Sequence, residues 1–358
     1  MSFRPNRRGR RMLVVGCGWF AALSFLGSVV PAAPAQDDSL QTINADYLRD
    51  LNAVEKKRLL RLEKLAGSLK DHAATEAYIA FFQTALNAGM YPEAEPVAER
   101  LLKDPKLDHR VGFLAQVTNL LAEIDRGDYE GSLKSLTEAV RVASEQAPDA
   151  QPVALVLPKH TRISLLQTYY QKLVHANQFE VARRAFELIA ANSKEDITAN
   201  YARDRVARLS MLGKPAPGIK ATDIDGKAFD LAGEKGNVVL VVFWASWCLP
   251  CGPESEMLDQ VFESYKGKGL RVVGINVDNL EEGADPASEI AEEVRHFVVE
   301  HNLHFTNLIN GAGVSDFAKA YGVRDIPANF LIDREGNVVH VDLTISNVDA
   351  AVGKALGK

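Results

Sequence analysis

The sequence predicts an N-terminal all-α helical-hairpin domain followed by an α/β domain with a mixed central sheet flanked by helices. Three observations carry this. From about Asp46 to Leu212 apolar residues recur at three- and four-residue spacing, the period of amphipathic helices. Gly213-Lys214-Pro215-Ala216-Pro217-Gly218 then gathers helix breakers in one stretch, as a linker does. Beyond it short β-rich runs alternate with helical patterns, the order that builds a sheet with crossover helices.

The 358-residue chain opens differently. Arg4, Arg7, Arg8, Arg10 and Arg11 precede an apolar run from Met12 to Val30, and Ala33-Pro34-Ala35 supplies small residues at cleavage spacing. Residues 1–35 therefore read as a secretory signal peptide, or as a membrane anchor if uncleaved. The expected location is outside the cytoplasm, in the periplasm or cell envelope. Losing five arginines and no acids leaves 36 basic against 47 acidic residues, a net charge of −11. That balance argues against a nucleic-acid partner.

Between residues 36 and 212, helical periodicity is plain in YIAFFQTAL, VGFLAQVTNLLAEI, SLKSLTEAVRVA, RISLLQTYYQKLV and VARRAFELIA. Three stretches echo one another: Gly89-Met90-Tyr91, Gly127-Asp128-Tyr129 and Asn177-Gln178-Phe179. In each, a turn residue is followed two positions later by an aromatic and three further on by a small residue. This resembles the turn of a tetratricopeptide repeat, although the spacings of 38 and 50 residues depart from the usual period of about 34. A helical bundle with similar hairpins accounts for the echo equally well. Either architecture offers a surface for a protein partner.

From 213 to 358 the elements follow in order. VVLVVF (238–243) is continuously apolar, as a strand buried on both faces should be. Pro253 to Tyr265 reads as helix, RVVGINVD (271–278) as a second buried strand, and Ser288 to Glu300 as helix. HFTNLI (304–309) is a strand, Val314 to Tyr321 a short helix, and NFLIDREGNVVHV two strands around Arg334-Glu335-Gly336. Val348 to Leu356 closes the chain as helix.

The chemistry concentrates in WASWCLPC (244–251). Cys17 leaves with the signal, so the mature chain holds only Cys248 and Cys251, too few for a framework of disulfide staples. Cys248 follows a buried strand and stands where a helix begins. Unpaired N–H groups there stabilise an anion and lower the thiol below its free pKa of about 8.5. Three-residue spacing lets the sulfurs pair, with Cys251 inside the first turn and more buried. The expected division is that Cys248 attacks a substrate sulfur and Cys251 resolves the mixed disulfide.

Trp247-Cys248-Leu249-Pro250-Cys251, after Phe243-Trp244-Ala245, resembles the active site of the thioredoxin superfamily. Gly-Lys-Pro-Ala-Pro before the domain and Pro-Cys-x-x-Glu at the pair are similar to the exported TlpA-like thiol–disulfide oxidoreductases. The resemblance covers about residues 213–358 and implies a thioredoxin-like fold, a redox-active Cys248–Cys251 disulfide and no cofactor. It implies that Asp325-Ile326-Pro327-Ala328 carries a cis-proline facing the dithiol, with Ile326 bordering the substrate groove. Trp247, Leu249 and Pro250 would form the rest of that groove, and Glu254 would carry a proton for Cys251; the alternative for Glu254 is a solvated acid favoured by the helix dipole. Thioredoxin itself has a buried aspartate six residues before its first cysteine, where this chain has Val242. Partners implied are thiol- or disulfide-containing exported proteins and a redox partner that regenerates the dithiol.

Two other readings stand beside this one. His296, His301 and His304 with the cysteines raise a copper-handling protein of the same superfamily, but a lone Cys pair supplies only two of the ligands a closed site needs, so no metal is expected. Alternatively the helical domain is a partner-binding scaffold and the redox domain its accessory.

Overall fold

A computed structural model describes residues 40–144, 156–193, 196–280, 287–311 and 315–357. The expected signal peptide at residues 1–35 lies outside them. Among the described residues no helix is long and apolar enough to cross a membrane. Contacts divide the chain into residues 1–50, described only from the opening turns of the first helix, and residues 51–358, which share one continuous apolar core.

Eight helices are described before the linker: α1 (Leu40–Ser68), α2 (Asp71–Ala88), α3 (Tyr91–Leu101), α4 (His109–Asp125), α5 (Tyr129–Ser144), α6 (Lys159–His175), α7 (Phe179–Asn192) and α8 (Asp196–Leu209). The three echoing stretches are the turns α2–α3, α4–α5 and α6–α7. In each the turn residue is left-handed, with φ of 68° at Gly89, 78° at Gly127 and 56° at Asn177, a conformation glycine and asparagine tolerate best. In each the next N–H reaches back five residues to a helix carbonyl: Met90 to Ala85, Asp128 to Glu123 and Gln178 to Leu173. This closes the helix end by satisfying a carbonyl the helix leaves free. The aromatic opens the following helix, and the small residue after it, Ala94, Ser132 or Ala182, is 0% exposed.

After the linker a two-stranded antiparallel hairpin, β1 (Lys220–Thr222) and β2 (Ala228–Asp230), precedes the main sheet. These three-residue strands escaped the sequence reading because so short a run shows no usable alternation. The main elements are β3 (Val238–Trp244), α9 (Cys251–Tyr265), β4 (Leu270–Asn276), α10 (Ala287–Glu300), β5 (Thr306–Ile309), α11 (Phe317–Ala320), β6 (Ala328–Ile332), β7 (Val338–Val341) and α12 (Ile345–Ala355). The sheet order is β5-β4-β3-β6-β7, with β3, β4 and β5 parallel and β6 and β7 antiparallel. This is the expected mixed sheet flanked by helices. Central β3 is buried at all seven positions, which explains its unbroken apolar sequence. The α11 helix is shorter than its periodicity suggested, because Asp316 caps it from one side and left-handed Gly322 follows closely. The linker also belongs to the sheet: Gly213 N–H donates to Val338 O, and Val338 N–H to Lys214 O.

Candidate active site

The buried β3 delivers the chain to the loop 245–250 at one end of the sheet. Cys248 N–H donates to Ala245 O at 3.2 Å, and Cys251 N–H donates to Cys248 O at 2.9 Å. The two cysteines are joined in a disulfide, with Cα atoms 5.3 Å apart. The helix starts at Cys251 rather than Cys248. Pro250 favours this later start, because a proline disfavours helical backbone at the residue before it, here Leu249. Pro253 is tolerated because first-turn N–H groups have no helical partner in any case. Cys248 thus stands one turn ahead of α9, and the Cys251 and Glu254 N–H groups are engaged by Cys248 O and Pro250 O.

Exposure around the pair is uneven. Cys248 is 7% exposed and Cys251 2%, while Leu249 is 92% and Trp247 49% exposed. The residues between and before the cysteines therefore form an apolar surface over a nearly buried disulfide. Exposed Met257 and Leu280 add to the apolar character of the neighbouring elements.

The pairing of β3 with β6 runs from Val239↔Ile332 to Phe243↔Ala328. One step further along this register brings residue 327 to the level of Trp244, at the end of the sheet where the cysteine loop leaves. The Ile326–Pro327 peptide bond is cis. Cys248, Cys251, Ile326 and Pro327 are thereby brought to one end of the sheet, although more than seventy residues of chain separate the two pairs.

Glu254 lies in the first turn of α9 and is half-buried. Loss of solvent alone raises its carboxyl above the ordinary glutamate value. It has no side-chain partner among the described residues, whereas Glu256 pairs with His301 Nδ1 at 2.8 Å.

The histidines are distributed among separate carboxylates. His296 faces Glu300 at 3.5 Å, His301 faces Glu256, and His304 Nδ1 lies 2.8 Å from Asp259 Oδ2. His301 is packed against neighbouring side chains and backbone. Its ring lies 4.2 Å from that of Phe297, which stacks on Trp244 at 4.4 Å, and a Cβ at Gly252 would meet it at 2.7 Å. Asp259, Glu263 and His304 have donor atoms within 4.8 Å of one another, a group that includes neither cysteine.

Asp278 was not singled out from the sequence. It is 5% exposed, and its Oδ1 accepts from Ser246 N–H at 2.7 Å, two residues before Cys248. An acid placed directly after the apolar strand RVVGINV was the available clue.

The AhpC/TSA family matches residues 212–341 of the chain. A thiol-disulfide oxidoreductase ResA of Bacillus thuringiensis subsp. konkukian is 34% identical over 128 residues, which cover 36% of this chain and 67% of that protein. The ResA protein of Bacillus subtilis is 31% identical over 129 residues, covering 36% of this chain and 65% of the relative. Among solved structures, a thioredoxin-family thiol:disulfide interchange protein from Chlorobium tepidum TLS is 28% identical and covers 40% of this chain and 96% of its own, with a TM-score of 0.34. With a disulfide three residues wide at the end of a buried central strand, and ResA-like sequence around it, the chain belongs to the thioredoxin superfamily as a TlpA-like thiol–disulfide oxidoreductase, the redox domain being its C-terminal part.

Proposed function

We propose that the protein reduces disulfides of exported proteins by dithiol–disulfide exchange, with Cys248 as the attacking and Cys251 as the resolving thiol. The observation that carries this reading is the near-buried Cys248–Cys251 disulfide at the sheet end shared with Ile326 and Pro327. In the reduced protein the Cys248 thiolate attacks one sulfur of the substrate disulfide. A mixed disulfide forms and the substrate's other sulfur departs as a thiolate. The Cys251 thiolate then attacks Cys248 Sγ, forming the intramolecular disulfide and releasing the second substrate thiol. Two electrons pass from the dithiol to the substrate, and the two thiol protons follow. A reduced partner protein returns both electrons in a further exchange.

The roles of the surrounding residues follow from their places. Trp247, Leu249 and Pro250 present apolar surface to the incoming polypeptide, and Ile326 with Pro327 forms the opposite wall of the groove. Glu254, half-buried and made more basic by loss of solvent, takes the Cys251 proton on its carboxylate as that thiol becomes a nucleophile. The chain is exported by the segment 1–35; residues 36–212 form a repeat-like helical domain and 213–358 the thioredoxin-like domain. The three matching helix turns support a partner-binding role for the helical domain, which would select the substrate the dithiol meets.

Single-cysteine variants test the order of attack. Cys251→Ser, incubated with a disulfide-bonded protein, is expected to accumulate a mixed disulfide that Cys248→Ser does not form. Equal trapping by both variants would refute the assignment. The equilibrium of the pair with glutathione gives the direction of electron flow, and a pair more oxidising than glutathione would overturn the reductase reading.

A further inference from the structure

Among the described residues two arginines are buried, and both belong to the helical region rather than to the redox domain they touch. Arg205 and Arg208 stand three residues apart on α8, 4% and 0% exposed. Their carboxylate partners lie more than a hundred residues away. Arg208 Nη1 donates to Asp342 Oδ1 at 2.9 Å, and its Nη2 donates to Asp325 Oδ1 at 2.6 Å. Arg205 donates to both carboxylate oxygens of Asp325, with Oδ1 at 3.1 Å from Nη1. Asp342 is closed from the other side by the Tyr170 hydroxyl of α6, which donates to Oδ2 at 2.9 Å.

The backbone contacts give this cluster its direction. Arg208 Nη2 also donates to Asp325 O at 3.0 Å, and its Nε to Gly322 O at 3.4 Å. One guanidinium thus holds both ends of the segment 322–325, which leads directly into Ile326 and Pro327. The helix lies close enough that a Cβ at Gly322 would come within 3.4 Å of Ala207 Cβ. Arg324 within the same segment faces Asp204 of α8 at 3.5 Å. The anchoring extends into β6: Asp342 N–H donates to Asn329 O at 2.8 Å, and the Asn329 amide exchanges hydrogen bonds with Leu343.

Two buried cations facing two carboxylates are neutral in sum, yet such a cluster is no more stabilising than apolar packing of the same volume. What it adds is orientation, because a planar guanidinium fixes its acceptors in angle as well as distance. We propose that Arg205 and Arg208 are positioning residues for the redox site: the helical region clamps the segment carrying Ile326 and Pro327, and so sets the wall of the substrate groove. The clamp rests on the reading of Ile326 and Pro327 as that wall. It gives the helical region a part in the reaction without any contact with the sulfurs.

The test uses the full chain and two disulfide substrates, insulin and the small neutral hydroxyethyl disulfide, which needs no groove wall. Asp325→Asn keeps the shape of the half-exposed side chain and weakens both arginine contacts. The ratio of kcat/KM for insulin to that for the small disulfide should fall about fivefold, through a higher KM for insulin. The equilibrium constant of the cysteine pair with glutathione should change by less than about twofold, because the sulfurs keep their surroundings. Arg208→Lys, which keeps the charge but loses the fork, should lower the same ratio. Partial unfolding lowers both rates together and cancels in the ratio. A ratio within about twofold of the parent for both variants overturns the clamp. A parent protein that reduces neither substrate overturns the oxidoreductase reading and the clamp with it.

Discussion

Replacing Arg208 with methionine removes a charge from the best-buried cation while keeping much of its apolar body. The change leaves Asp342, 4% exposed, without its 2.9 Å partner. The carboxylate retains the Tyr170 hydroxyl at 2.9 Å and Arg205 Nη1 at 3.9 Å. Asp325 is half exposed, so water can replace what it loses. Removing one member of a buried ion pair costs about 3–5 kcal/mol, chiefly through the charge left behind. Because Asp342 keeps two neighbours, the lower end applies: about 3 kcal/mol, or a drop of roughly 4 °C in Tm for a protein of this size. Thermal melts of the oxidised protein by circular dichroism measure it. Arg208→Met combined with Asp342→Asn should recover most of the loss, since no unpaired carboxylate then remains while the amide still accepts from Tyr170 and tolerates the left-handed backbone at this position. A single-variant loss below about 1 kcal/mol, the range of exposed pairs, would refute the reasoning. So would a double variant less stable than the single one.

Glu254→Gln should remove from the resolving step the rise in rate that the parent shows as pH increases through the raised carboxyl pKa, which stopped-flow rates across pH would detect. The same shift has a stability sign: the protonated form's advantage is present below the unfolded value and is lost as pH rises through the folded one. The permanently neutral glutamine keeps it, so the variant should melt above the parent at about pH 7 and with it at about pH 3. Gly274→Ala would place a Cβ 2.4 Å from Asn307 Oδ1, 2.8 Å from Trp244 Nε1 and 3.0 Å from Phe305, all buried. Such overpacking should cost about 1–3 kcal/mol in a denaturant melt; an unchanged midpoint would show that the sheet yields there. Asp278→Ala should raise amide exchange across residues 245–249 and cost about 1–2 kcal/mol, while Asp278→Asn, which keeps an acceptor for Ser246 N–H, should stay close to the parent.

The elements built on local regularity were legible in the chain itself. The seven buried residues of β3, the helical stripes and the left-handed turns at Gly89, Gly127 and Asn177 each express a preference that a few neighbouring residues settle. Helical periodicity from Pro253 begins two residues after the observed start at Cys251, and the dipole argument for Cys248 sets the start three residues before it, where Pro250 disfavours helical backbone at Leu249. His301 shows a different failure. Its place at the end of α10 reads as surface, and only the packing of α10 on α9 puts its ring against Gly252.

By itself, the sequence determined the redox chemistry: two cysteines three apart after a buried strand, and a proline before another strand far downstream. Tertiary structure alone decided what holds these parts in place. Arg205 and Arg208 sit in α8, and their meaning depends on carboxylates 117 and 134 residues further along the chain from Arg208. A charged side chain declares no partner in its own neighbourhood. Local periodicity encodes which face of a helix is buried, but Coulomb pairing depends on distance in space, and that is set only when α8 docks against the segment before β6.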